Sequence, residues 1–175
     1  LSEGEVFCSG PGSLHCKHIV HAVGPIWQGG RNKEEGQLYD CVTTSLEETD
    51  KRNLSSIAIP ALCTGIFGYP ASEATKVITE SVRDYFKRPH SSSIKTVFLC
   101  DIVTTTVDLF VIAANKFFNQ PDSKYHSTPG RGRSANRFED ASHNKGRQNI
   151  TSGNIKIKIR KEDLNKMKVK LMIYK

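Results

Sequence analysis

Along the first two-thirds of the chain, stretches with helical spacing of apolar residues alternate with short strand-like runs. In three stretches apolar residues recur at positions i, i+3 and i+4, which predicts amphipathic helices at residues 34–53, 72–86 and 106–118. Between them lie short apolar or alternating runs, which predict strands at residues 6–9, 17–24, 56–60 and 95–100. Strands that alternate with helices in this way indicate a layered α/β domain with a largely parallel sheet.

The last third of the chain has a different pattern. Residues 119–150 are rich in Gly, Ser, Asn and Arg and poor in apolar residues, so we expect a disordered basic linker. Residues 153–160 then alternate apolar and polar positions, and residues 169–174 are apolar again. Because two short strands cannot build a core alone, we interpret residues 151–175 as the opening of a second, incomplete domain.

Charge is distributed unevenly between these parts. Residues 1–118 hold 11 Lys and Arg against 13 Asp and Glu, whereas residues 119–175 hold 14 against 5. The net charge of +7 therefore lies in the C-terminal third. Nucleic-acid binding by that segment is an open alternative, although a solvated linker beside an exposed strand face explains the same charges. No apolar run approaches the length of a membrane span, so no membrane partner is expected.

The cysteines and histidines do not predict a metal site. Five cysteines occur at spacings that match neither a disulfide framework nor a zinc site, which favours reduced, intracellular thiols. On a strand, Cys16 and His18 share one face while His21 points to the other, so chelation from this strand fails.

The segment richest in candidate chemistry is residues 56–70, SIAIPALCTGIFGYP. A buried strand runs into a loop with two glycines, and a helix follows within a few residues. Ligands of open α/β sheets bind at the carboxyl ends of strands, and successive backbone N–H groups near a helix start can hold a diphosphate. The loop lacks the Lys-Ser/Thr of a P-loop. A plain tight turn is the alternative interpretation.

Three separate segments resemble the macrodomain family, in the family's order. Residues 10–25 (GPGSLHCKHIVHAVGP) resemble a strand pair ending in H-A-V-G-P, residues 56–70 resemble the second binding loop, and residues 95–118 resemble the closing strand and helix. The F-G-Y-P form is similar to the first macrodomain of the macrodomain-bearing mono-ADP-ribosyltransferases, within the poly(ADP-ribose) polymerase family. The resemblance implies a three-layer α/β/α fold with a mixed, largely parallel sheet.

The resemblance also implies roles for individual residues. Backbone amides of the glycine loop would hold the diphosphate of ADP-ribose, with Phe67 beside the distal ribose. Asp101 and Ile102, just after the last strand, would lie near the adenine. These ligand-binding residues are Thr64, Gly65, Ile66, Phe67, Gly68, Asp101 and Ile102. No catalytic or metal-binding residue is implied.

The chain departs from the family pattern at its start. The first strands, the N-A-A-N-type stretch and the first Gly-rich loop do not precede Leu1, so residues 1–118 read as the C-terminal two-thirds of a macrodomain. We expect a module that binds ADP-ribose or ADP-ribosylated proteins in the nucleus and cytoplasm, without a cofactor and without catalysis by this chain. An ADP-ribosyl hydrolase is the enzymatic alternative. The longer parent would be an NAD-dependent transferase.

Overall fold

The computed structural model describes residues 5–118, 147–152, 154–161 and 170–173. Its helices and strands alternate through residue 118, as the periodicity predicts. The elements are β1 (Val6–Ser9), β2 (Ile19–Ala22), α1 (Glu34–Lys51), β3 (Ser56–Pro60), α2 (Ala71–Lys87), β4 (Thr96–Asp101), α3 (Thr104–Phe118), β5 (Arg147–Ser152), β6 (Ile155–Lys161) and β7 (Lys170–Ile173).

The strands form a mixed sheet in which parallel pairs predominate. One ladder has the order β1-β2-β7 and the other the order β3-β4-β6-β5. The pairs β2–β7, β3–β4 and β4–β6 are parallel, whereas β1–β2 and β5–β6 are antiparallel. Strand β7 also contacts β3, so the two ladders lie side by side.

The three helices pack against one face of this sheet. α1 contacts α2, and α2 contacts α3, in chain order. The helices bury the stripes that the sequence predicts, including Leu38, Leu46, Ile78 and Phe110. Strand residues in register on the same face complete a single core: Ile57, Ile59, Val97, Leu99, Ile157 and Ile159. Of the three layers expected, the described residues therefore supply the sheet and one layer of helices.

The C-terminal strands belong to this same sheet, which differs from the expected division at residues 118 and 151. β6 pairs in parallel with β4 along six residues, from Thr96 opposite Lys156 to Asp101 opposite Lys161. Ile157 and Ile159 are fully buried in the core of residues 1–118. The physical reason is that the alternating pattern of β6 has one apolar face, and the edge of β4 beside α3 offers a core to cover it.

Strand β5 was not expected from the sequence. It begins at Arg147, inside the segment assigned to a linker, and pairs with β6 as an antiparallel hairpin. Its Ile150 is buried in the core. Ile150 is the one apolar residue of this strand, so no alternating pattern is visible there. The remainder of the predicted linker, residues 119–146, lies outside the described residues. Within the described helices, none is long and apolar enough to cross a membrane.

Candidate functional site

The glycine loop, residues 61–70, follows the carboxyl end of β3. The register of β3 and β4 sets Pro60 opposite Cys100, so the loop lies next to Asp101 and Ile102 at one edge of the sheet. Helix α2 begins directly afterwards, at Ala71. The structure therefore brings together all the sequence-predicted site residues at the edge where α/β sheets bind ligands.

Three successive amides of this loop are available to a ligand. The N–H groups of Gly65, Ile66 and Phe67 donate to no acceptor within the described part of the chain. Gly65 and Ile66 are exposed, and a Cβ placed on Gly65 would meet no atom within 4 Å. Successive unpaired backbone amides in a loop between a strand and a helix provide hydrogen-bond donors for an anion.

The predicted amide donors at the two ends of the loop are already engaged. The Gly68 N–H donates to the carbonyl of Gly65 at 2.9 Å, and the Thr64 N–H lies 3.5 Å from the carbonyl of Ala61. The Thr64 hydroxyl donates to the same Ala61 oxygen at 2.8 Å. The expectation that both amides hold a diphosphate needs correction for Gly68, because its donor closes the turn that shapes the loop.

The side chains of the loop are also arranged differently from the expectation. Phe67 is only 8% exposed and packs in the core, whereas Ile66 is 81% exposed. Ile66 is therefore the apolar side chain of the loop that a bound ligand would meet. The contact of the Phe67 ring with a ribose stays a prediction.

Asp101 and Ile102 stand at the end of β4. The Asp101 carboxylate accepts the N–H of Val103 at 2.9 Å, which stabilises the turn into α3. Ile102 and Val103 are 67% and 49% exposed, so they form an apolar rim beside the loop. Asp101 has a turn role in this structure, and its contact with a ligand stays a prediction.

A close contact between two strand ends fixes the base of the loop. Cys63 is buried and has a left-handed backbone, with φ of 65°, which is strained for a residue with a side chain. Gly24, just after β2, packs directly on it: a Cβ on Gly24 would lie 2.2 Å from the Cys63 Sγ. Glycine is therefore required at position 24 by the approach of the loop.

The connection from β2 to α1 supports the glycine loop from one side, and sequence reasoning missed it. The Trp27 N–H donates to the carbonyl of Phe67 at 2.9 Å, and the rings of Trp27 and Tyr69 lie 4.5 Å apart. Gly29 and Gly30 both have positive φ, which the QGG sequence could have signalled as a constrained turn.

The carboxylate of Glu34 lies inside this connection and is 1% exposed. Its Oε1 accepts the N–H groups of Gln28 at 3.0 Å and Gly30 at 3.1 Å, and its Oε2 accepts that of Asn32 at 2.6 Å. Burial by itself would raise the pKa of Glu34, but these donors and its own N–H outweigh that effect, so the pKa lies below the usual value. Glu34 is therefore ionised at neutral pH.

Two cavities lie away from the glycine loop. One, of about 350 Å³, is lined by Arg83, Lys87 and Lys95 near the ends of α2 and α3. Lys87 ends α2, where a cation complements the helix dipole, and Arg83 is paired with Glu80 and Asp84. The other, of about 460 Å³, is lined by His15, Cys16 and His18 among others. Among the described residues, no group of three His, Cys, Asp or Glu side chains could hold a metal ion.

Together these features define a class of protein: an α/β domain with a glycine loop of unpaired amides at the carboxyl end of its central strands. The sequence profile of the Macro domain family matches residues 1–78. Residues 1–78 are therefore similar to the Macro domain family, and the chain has the macrodomain α/β fold, with a mixed, mostly parallel sheet flanked by helices.

Curated relatives and solved structures agree with this assignment. A Macro domain-containing protein of Caldanaerobacter subterraneus is 38% identical over 94 residues, covering 54% of this chain and 52% of the relative. The O-acetyl-ADP-ribose deacetylase of Escherichia coli is 35% identical over 89 residues, covering 51% and 50%. The chain thus spans about half the length of these curated relatives.

Among solved structures, a mutant macrodomain of Oceanobacillus iheyensis with ADPR superposes with a TM-score of 0.60 at 27% identity. It covers 66% of this chain and 61% of the solved chain. The same macrodomain with ADP gives a TM-score of 0.59, again at 27% identity.

Proposed function

We propose that this chain is a binding module for ADP-ribose, and that the glycine loop holds the diphosphate. The observation that carries the proposal is the run of three amides, Gly65 to Phe67, that have no acceptor within the described residues and lie in the loop four to six residues before α2. A solved macrodomain of similar fold contains ADPR, which supports the choice of ligand. The exposed Ile66 and Ile102 supply an apolar rim on which the nucleoside would rest.

Isothermal calorimetry of the whole chain with ADP-ribose tests the proposal, with AMP as a ligand that lacks the diphosphate. We expect measurable heat with ADP-ribose and a weaker response to AMP. No heat at about 1 mM ADP-ribose would exclude useful binding by this chain.

A matched pair of variants locates the site. Gly65→Ala adds a methyl group into open space at the loop, so it leaves stability unchanged and blocks the approach of a diphosphate. Gly36→Ala makes the same change in open space on α1 and serves as the control. We expect at least about tenfold weaker ADP-ribose binding for Gly65→Ala, which is about 1.4 kcal/mol, and no change for Gly36→Ala. Equal affinities of the two variants would place the ligand elsewhere.

A hydrolase is the second candidate, because several relatives bear the name O-acetyl-ADP-ribose deacetylase. Release of acetate from O-acetyl-ADP-ribose by the chain would favour the enzyme over the binding module.

Three narrower expectations also stay proposals. The similarity to the first macrodomain of mono-ADP-ribosyltransferases, with an NAD-dependent parent, comes from the F-G-Y-P form of the loop and the S-G-P-G turn at residues 9–12. ADP-ribosylated proteins are the proposed partners in the nucleus and cytoplasm. Nucleic-acid binding by the basic residues after 118 is the remaining alternative.

A further inference from the structure

We infer that Glu34 is a positioning residue, which orders the glycine loop for its ligand by holding the preceding connection, residues 25–33, in one conformation. The proposal rests on the proposed function for its consequence on affinity. The ordering of the loop can be tested without any ligand.

The first step is the burial of the Glu34 carboxylate within its own connection. Both oxygens are used: Oε1 by two N–H groups and Oε2 by a third. A charged acceptor in a buried position forms stronger hydrogen bonds than a neutral one. The carboxylate therefore determines the path of residues 28–32, which include two glycines with positive φ.

The second step leads from that connection to Trp27. A Cβ on Gly30 would lie 3.2 Å from the Trp27 ring, so the turn that Glu34 holds presses closely on the indole. The indole also lies against the Tyr69 ring, with centroids 4.5 Å apart. The side chain of Trp27 is therefore close both to the turn at Gly30 and to Tyr69 at the far end of the glycine loop.

The third step is the hydrogen bond between the two segments. The Trp27 N–H donates to the Phe67 carbonyl at 2.9 Å, which fixes the plane of the peptide joining Phe67 to Gly68. The N–H of Gly68 then closes the turn to Gly65, and that of Tyr69 reaches the Cys63 carbonyl at 3.0 Å. The orientation of the free amides between them follows from these bonds.

Another interpretation makes Glu34 only a stabiliser of α1. The helix begins at Glu34, its N-cap residue Lys33 has a left-handed backbone, and no side chain caps it. An acidic residue in the first turn favours the helix dipole whatever lies nearby. Glu35 shares that first turn, is exposed, and makes no hydrogen bond to the connection among the described residues, so it separates the two roles.

The test compares Glu34→Gln and Glu34→Asp with the control Glu35→Gln in the whole chain. The glutamine keeps the shape but turns an N–H₂ group toward a backbone donor, and the aspartate keeps the charge but shortens the reach. Hydrogen exchange at the amides of Trp27, Gly68 and Tyr69 is measured well below the melting temperature, together with the affinity for ADP-ribose.

We expect both Glu34 variants to exchange these three amides at least about tenfold faster and to bind ADP-ribose at least about fivefold more weakly, with Glu35→Gln like the wild type. A Glu34 variant that only lowers the melting temperature, with exchange and affinity unchanged, would overturn the inference and leave the proposed function standing. If the wild type binds no ADP-ribose, the proposed function fails, and the exchange rates alone decide whether Glu34 orders the loop.

Discussion

Gly24 and Cys63 show how single positions control the candidate site. Neither residue was singled out as a ligand, yet the strained backbone of Cys63 begins the turn of the glycine loop, and its sulfur occupies the space that a side chain at position 24 would need. Because of this contact, even the methyl group of an alanine at position 24 would overlap the Cys63 sulfur.

Gly24→Ala should destabilise the chain by about 1–3 kcal/mol, because the new methyl group would overlap the Cys63 sulfur. Thermal melting measures the loss. The double variant Gly24→Ala with Cys63→Ala should recover part of it, since the remaining Cβ lies 4.0 Å from the added methyl group. Gly10→Ala, which meets nothing within 4 Å, is the control. Equal effects of Gly24→Ala in the presence and absence of the sulfur would contradict this explanation.

The sequence predicted where the backbone of the site loop lies, but not how its side chains are placed. The loop, its glycines and its place after a buried strand follow from residues 56–70. Which side chain of the loop is buried does not follow, because a loop has no periodicity: Phe67 lies in the core and Ile66 is exposed. The support from Trp27 and Glu34 was missed because it depends on contacts between segments far apart in the chain.

At the scale of elements, Asp50 at the end of α1 joins that helix to the connection between α2 and β4. Its Oδ2 accepts the Tyr85 hydroxyl at 2.5 Å, and its Oδ1 accepts the hydroxyls of Ser92 and Ser93 at 2.9 and 2.8 Å. Burial by itself would raise the pKa of Asp50, but these hydrogen bonds outweigh burial and lower it. The ionised carboxylate therefore stabilises the packing of the two helices.

Asp50→Asn should lower the free energy of unfolding by about 2 kcal/mol at pH 7, since an amide replaces a charged acceptor of several bonds. The folded-state pKa lies below the unfolded value of about 3.9, so this contribution is complete above that pH and is lost as the pH falls through the folded pKa. Urea unfolding at pH 7 and at about pH 3 measures the change. The difference between wild type and variant should shrink on acidification.

The exposed Asp108 on α3 offers a matched control. Asp108→Asn removes a carboxylate of the same type and should change the free energy of unfolding by less than about 0.5 kcal/mol at either pH. A variant at position 50 that behaves like this control would contradict the role given to the carboxylate.

The elements themselves were largely predictable. The helical stripes define α1 and α2 to within two residues at each end, because each has a continuous apolar face. Strand β5 was missed, since a single buried isoleucine among polar residues gives no period. The left-handed start of α1 at Lys33 carries no signal either, because lysine is not a residue that typically adopts it.

At the scale of the whole molecule, the strands after residue 146 complete the sheet. Ile155, Ile157 and Ile159 of β6 enter the same core as α1, α2 and α3. The sequence pattern alone could not reveal this, because an alternating strand shows which face is buried but not which sheet it joins. The resemblance to the start of a macrodomain favoured a separate unit for the same residues.

Ile157→Ala should therefore destabilise residues 1–118 as well as β6, by about 2–5 kcal/mol, because it opens a cavity in the shared core. Trp27, the only tryptophan of the chain, lies in the N-terminal part and reports its unfolding by fluorescence. Lys156→Ala changes the exposed neighbour and should leave the transition in place. A tryptophan transition that Ile157→Ala does not shift would mean that the tail strands stand apart from the N-terminal part.

The pairing of β4 with β6 also sets an order of events during synthesis. A ribosome delivers residues 1–118 first, and β4 leaves it with an open, apolar edge beside α3. Until the later strands emerge, that edge can pair with any extended chain nearby, which is the usual route to aggregation of nascent proteins. Recovery of correctly folded chain in the cell should accordingly depend on translation speed and on chaperones that shield the nascent edge.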